Sequence, residues 1–181
     1  MAERRGKRLQ EIFSGVWIDE LSDTQAPLVA KELLDALLER LLAYYLVDDA
    51  REQETFLQES SFAGRTRLCF LLGLLSAEEA EDLYTIEKIR NEFARALGER
   101  SFEDEDIREM VESLETARQF REHPASLGFS RDPRMRFNSA VHILARYLNF
   151  RTHEKAGLRP RTAHPPFRYA PPGEFPPVRG G

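Results

Sequence analysis

The chain has 181 residues, of which 41% are hydrophobic and 31% charged, with a net charge of −5. That length suits one hydrophobic core rather than two, and the composition is that of a chain able to bury a core beneath a well-solvated surface. The longest apolar stretch, Leu68 to Leu75, is far short of the roughly 20 residues a membrane helix needs, so no membrane partner is expected. A single cysteine, Cys69, excludes an internal disulfide, and its place inside that apolar stretch predicts a buried space-filler.

The first segment, Met1-Ala2-Glu3-Arg4-Arg5-Gly6-Lys7-Arg8, is basic but leads into Leu9-Gln10-Glu11-Ile12 with no apolar core or small-residue cleavage site. A cytoplasmic protein is expected rather than a secreted one. Beyond it the periodicity is helical throughout, and an all-α, single compact multi-helix domain over residues 1–154 is predicted. From Leu28 to Tyr45, Leu34, Leu37, Leu38, Leu41, Leu42 and Tyr45 share one side and Glu32, Asp35 and Glu39 the other, as an amphipathic helix requires. Phe62 to Leu75 is apolar on nearly every side after its first turn, which predicts the central, most enclosed helix.

Ser76-Ala77-Glu78-Glu79 has capping-box spacing, so a new helix is predicted to start there and to run through Leu83, Ile86, Phe93 and Leu97 to Gly98. A further helix is expected after Phe102-Glu103-Asp104, carrying Ile107, Met110, Val111 and Leu114 inward. The last long helix should follow Pro133, with Phe137, Val141, Leu144, Ala145 and Leu148 as its apolar stripe. Seven of the ten prolines lie from Pro160 onward. Residues 155–181 therefore read as an extended or disordered Pro/Arg-rich tail, without the PxxP spacing of the common proline-rich ligands. Those residues hold five of the 26 Lys and Arg residues and one of the 31 Asp and Glu residues, so the body has about nine excess negative charges. Such a body is a poor non-specific ligand for nucleic acid.

At 100° per residue, Leu83, Ile86, Arg90, Phe93 and Leu97 form one stripe, and Arg65 lines up with Phe62, Leu68, Cys69 and Leu72. Two inward arginines imply buried or half-buried carboxylate partners, since an unpaired buried charge costs several kcal/mol. The competing reading is a cationic cleft for an anionic ligand. The helices around Gly73 are spaced like a helix-turn-helix, but the second opens Ala77-Glu78-Glu79-Ala80-Glu81-Asp82, whose acids would repel phosphate. His123, His142, His153 and His164 lack metal-ligand spacing, and no phosphate-binding glycine loop or nucleophile motif occurs. Neither a metal nor a cofactor is expected, and His142 reads as packed or surface-exposed rather than catalytic.

Four segments together resemble the mannitol operon repressor family (MltR/MtlR). They are Ser61-Phe62-Ala63-Gly64-Arg65-Thr66-Arg67-Leu68-Cys69-Phe70-Leu71-Leu72-Gly73-Leu74-Leu75, Asp82-Leu83, Ile86-Glu87-Lys88-Ile89-Arg90-Asn91-Glu92-Phe93-Ala94-Arg95 and Ser101-Phe102-Glu103-Asp104. The resemblance covers about half of the chain. It implies a compact all-helical fold and a cytoplasmic bacterial transcriptional regulator that acts through protein partners, lacks a DNA-binding motif of its own and is not an enzyme. It also implies the phosphotransferase-system carrier HPr as a partner, leaves a homo-oligomer open and allows DNA contact only indirectly or weakly. In this reading Arg65, Arg90 and Asn91 organise a polar centre among the helices, and Phe93 and Arg95 complete the matched motif. The family pattern often ends Arg-Asn-x-Phe-Ala-His, which also resembles the signature of HEPN ribonucleases. Here Arg95 stands at the histidine position, removing the one group in the motif that shuttles a proton near neutral pH. The alternative is thus an RNA-binding or RNA-cleaving protein in which Arg90 and Arg95 contact phosphate.

Overall fold

The computed structural model describes residues 18–96, 98–116, 118 and 132–155. Within them the fold is all-helical, without a strand. A 3-10 turn at Ile18–Glu20 precedes six α-helices: α1 (Gln25–Ala43), α2 (Ala50–Glu59), α3 (Phe62–Leu71), α4 (Ala77–Arg95), α5 (Glu105–Ser113) and α6 (Pro133–Lys155). No described helix is long and apolar enough to cross a membrane. The expected tail falls on residues 156–181, outside the described residues, and Lys155 belongs to α6.

Short polar side chains start most of the helices by taking backbone N–H groups that the first turn leaves without partners. Ser22 and Gln25 exchange backbone-to-side-chain bonds ahead of α1, each 3.3 Å long. Asp49 accepts from the amides of Arg51 and Glu52 at α2, and Ser61 from that of Gly64 at α3. The expected capping box opens α4: the Glu79 amide donates to Ser76 Oγ (3.2 Å) and the Ser76 amide to Glu79 Oε2 (2.8 Å). Pro133 occupies the first position of α6, where a missing N–H costs nothing, behind Asp132, which accepts from the Arg134 amide.

The central helix is α1, and not the segment Phe62 to Leu75 as its apolarity implied. Ala26, Ala30, Leu34, Leu37, Leu38, Leu41 and Leu42 are all fully buried, and α1 packs on α3, α4, α6 and the 3-10 turn. Each enclosed leucine contributes about 1.5–3 kcal/mol by leaving water. The apolar run breaks because Gly73 sits at φ +70°, a left-handed conformation that ends a helix and suits glycine. The Gly73 amide closes on the Phe70 carbonyl and the Leu74 amide on that of Cys69. The chain then turns Leu74 and Leu75 into the core while Phe70, Leu71 and Leu72 stay exposed.

The remaining boundaries follow the apolar faces. The first long helix begins at Gln25 rather than Leu28, because the Ser22–Gln25 pair supplies the start, and it ends at Ala43. Helix α4 stops at Arg95, with Ala96 extended (φ −64°, ψ 128°), three residues short of Gly98. Helix α2 was not separated in the sequence, since it buries no residue and only Phe56 packs partly against the core. Helix α6 buries the expected Phe137, Val141, Leu144, Ala145 and Leu148. Phe93 of α4, Phe102 of the following loop and Phe137 of α6 stack in sequence, with ring centroids 5.1 Å apart at both steps. Each such pair adds about 0.5–1.5 kcal/mol beyond area burial.

Candidate functional site

Arg65 faces inward from α3, almost fully buried. Its Nε donates to Asp35 Oδ1 at 2.7 Å and Nη2 reaches the same oxygen at 2.5 Å. Nη1 donates to the carbonyls of Leu57 (3.0 Å) and Ser60 (2.5 Å) and to Ser60 Oγ (3.0 Å), with Glu39 Oε1 at 3.9 Å. The other Asp35 oxygen takes Lys31 at 2.6 Å, and Lys31 lies 5.5 Å from the centroid of the Phe62 ring. One guanidinium thereby ties α1 to the end of α2 and the start of α3. With its nitrogens engaged in this way, it serves as an internal strut and not as a receptor for an outside anion.

Arg90 behaves differently. It is half-buried, and its interaction among the described residues is a 3.0 Å bond from Nη1 to Oδ1 of its neighbour Asn91. No carboxylate among the described residues meets it, against the expectation of one. The buried face of α4 carries Asp82, Leu83, Ile86, Ile89 and Phe93, centred about 50° around the helix from Arg90. Arg90 therefore lies on the flank of the face, where water can share its solvation. Phe93 is a core residue, and Arg95 is exposed. Arg95 borders a shallow cavity of about 290 Å³ together with Glu92, Glu99 and Arg100, but Arg90 does not line it. The structure thus brings Arg90 and Asn91 together, holds Phe93 in the aromatic stack and leaves Arg65 and Arg95 in separate surroundings.

Two further arginines organise the molecule, and both lie on α6. Arg134 donates to Asp23 (2.8 Å), to the carbonyls of Ile18 (2.9 Å) and Leu21 (2.8 Å) and to Asn138 (3.2 Å), and it lies 5.2 Å from the Phe102 ring centroid. Arg151 forms a fork on Glu79, 2.8 Å to each oxygen, and donates to the Leu74 carbonyl at 3.0 Å. The sequence does carry a signal for them. Arg134 and Arg151 extend the stripe of Phe137, Val141, Leu144 and Leu148 at both ends, at the same three- and four-residue spacing.

Asp82 is a buried carboxylate whose acceptors face the segment after α5. It takes the amides of Glu115 (2.7 Å) and Thr116 (2.8 Å) and the Thr116 hydroxyl. Burial pushes its pKa up, against the opposing effect of these bonds. Burial likewise raises the Cys69 thiol to about 12, partly offset by Arg65. A thiol so protonated is a poor nucleophile. His142 is exposed, 3.8 Å from Asp19. Among the described residues no group of three or more His, Cys, Asp or Glu is gathered as a metal would need.

The open chemistry is apolar. At the end of α3, Phe70, Leu71 and Leu72 are 44%, 71% and 37% exposed, and Tyr147 and Phe150 on α6 are 50% and 58% exposed. A groove of about 490 Å³ runs between these elements, lined by Tyr45, Leu72, Leu74, Leu75 and Arg151 among others. Tyr147 lies one helical turn before Arg151 on α6, and neither it nor Phe150 lines the groove itself. Exposed apolar and aromatic groups beside a fixed arginine have the composition of a protein-binding surface.

In comparisons with known proteins, no family model, curated protein or solved structure matches this chain.

Proposed function

We propose that the protein is a regulatory interaction module of the mannitol operon repressor type, which acts by binding another protein rather than by reading DNA. The observation that carries this reading is the exposed apolar end of α3, Phe70, Leu71 and Leu72, the last of which lines a groove edged by Arg151 of α6. A monomer rarely leaves three successive large apolar side chains in water without using them. The acidic first turn of α4, with Glu78 and Glu79, supports a partner other than nucleic acid. The ribonuclease reading is less well supported, because the cavity that Arg95 borders is not lined by Arg90.

The test is affinity capture from bacterial cytoplasm with the full chain and with Leu71→Asp, followed by mass spectrometry, and calorimetric titration of purified HPr. A protein retained by the wild type and lost with Leu71→Asp is the expected result. Equal capture by both chains would remove this surface from the proposal, and absence of heat with HPr would remove that partner. Cleavage of single-stranded RNA that disappears in Arg90→Ala, with the fold intact, would bring the ribonuclease reading to the front.

A further inference from the structure

From the groove and the stretch of chain that follows it, we infer that residues 156–181 dock in cis on the α3–α6 surface and cover it until a partner displaces them. The inference rests on the reading of that surface as a protein-binding site. It replaces the expectation of an unanchored tail.

Position comes first. Helix α6 ends at Lys155, four residues beyond Arg151, which lines the groove. The segment therefore leaves the helix about 6 Å past the groove wall. In an extended polyproline conformation, residues 156–165 alone reach about 31 Å, enough to turn back across Leu71 and Phe70. Chemistry is second. The segment sets Phe167, Tyr169 and Phe175 between the proline pairs 165–166, 171–172 and 176–177. Polyproline segments lose little entropy on docking, and grooves bordered by aromatic side chains are what they bind. The groove offers the aromatic Tyr45 beside Leu72, Leu74 and Leu75. Without PxxP spacing, recognition would fall on the proline-aromatic units themselves.

Charge is third. Residues 156–181 carry four basic groups against one acidic, and the rest of the chain has about eight excess negative charges. Ser76 lines the groove, and Glu78 and Glu81 are exposed just beyond it at the start of α4. Arg161 and Arg168 flank the first proline-aromatic unit, so attraction and apolar contact favour the same placement. Tethering supplies the rest: a short linker gives an effective concentration in the millimolar range, so even a shallow groove stays occupied by its own chain.

The experiment is limited trypsin digestion of the full chain, timing cleavage after Arg161 and Arg168 by mass spectrometry. Wild type is compared with Leu71→Asp, a change at an exposed position whose helicity is checked by circular dichroism, and with Phe175→Ser, which leaves the body untouched. Both substitutions should speed cleavage about tenfold, the change that about 1.4 kcal/mol of docking energy produces. Equal rates in all three chains overturn the inference. So does a wild-type dimer that Leu71→Asp makes monomeric in light scattering with tail cleavage unchanged, for then a second copy is the occupant. No partner is present in the digestion, so its outcome is separate from the capture experiment. Loss of a captured protein together with unprotected cleavage sites would keep the partner surface and remove the cis contact.

Discussion

Arg65 and Arg90 both occupy positions that the helical spacing aims inward, yet their surroundings assign them different energetic weight. Arg65 shares Asp35 with Lys31 and donates to two carbonyls and a hydroxyl. Removing it leaves Asp35 with a buried oxygen facing no guanidinium, so Arg65→Ala should lower stability by about 3–5 kcal/mol. Among the described residues Arg90 has a single neutral partner, and Arg90→Ala should cost only about 0.5–1.5 kcal/mol, the net worth of an ordinary hydrogen bond. Chemical denaturation of the two variants side by side checks the contrast. Equal losses would mean that Arg90 is held by more than Asn91.

Among the elements, the junction of α3 and α4 concentrates several jobs in few residues. Gly73 supplies the left-handed turn, Ser76 and Glu79 cap α4, and the same Glu79 carboxylate receives Arg151 from the end of α6. A Cβ at Gly73 would meet no neighbour within 4 Å, so the cost of Gly73→Ala is the backbone conformation alone, about 1–2 kcal/mol. Glu79→Ala should cost more than the roughly 1 kcal/mol of a lost cap, because it also releases the Arg151 fork. A double-mutant cycle of Glu79→Ala with Arg151→Ala measures the difference. Additive losses would show that the fork contributes nothing of its own.

For the molecule as a whole, stability should depend on pH through Asp82. Burial raises its pKa in the folded chain above the unfolded value near 3.8, so the folded state holds this proton more tightly than the unfolded state. Its contribution is greatest below that unfolded value and declines as pH rises through the raised folded value. Denaturation of wild type and Asp82→Asn from acid to neutral pH tests the sign: the stability of wild type relative to the variant should fall as pH rises. A relative stability that climbs instead would mean that the bonds from Glu115 and Thr116 outweigh burial.

The helical class, the inward faces of α1 and α6 and the capped start of α4 are legible in the amino-acid order alone. Each follows from local spacing: apolar residues every three or four positions must share a face, and a Ser with Glu three residues on can satisfy two amides whatever lies around them. The inward turn of Arg65 was legible too, though its partner Asp35, 30 residues away, was not. Tertiary packing alone settles that α1 rather than α3 is enclosed, that Ile86 and Phe93 rather than Arg90 hold the middle of the α4 face, and that Arg134 and Arg151 bind distant carboxylates and carbonyls. Periodicity records which residues share a side of one helix. Which side is covered, and how far along, depends on neighbours brought in from elsewhere in the chain, and that is why apolar Leu71 lies in water while charged Arg65 lies inside.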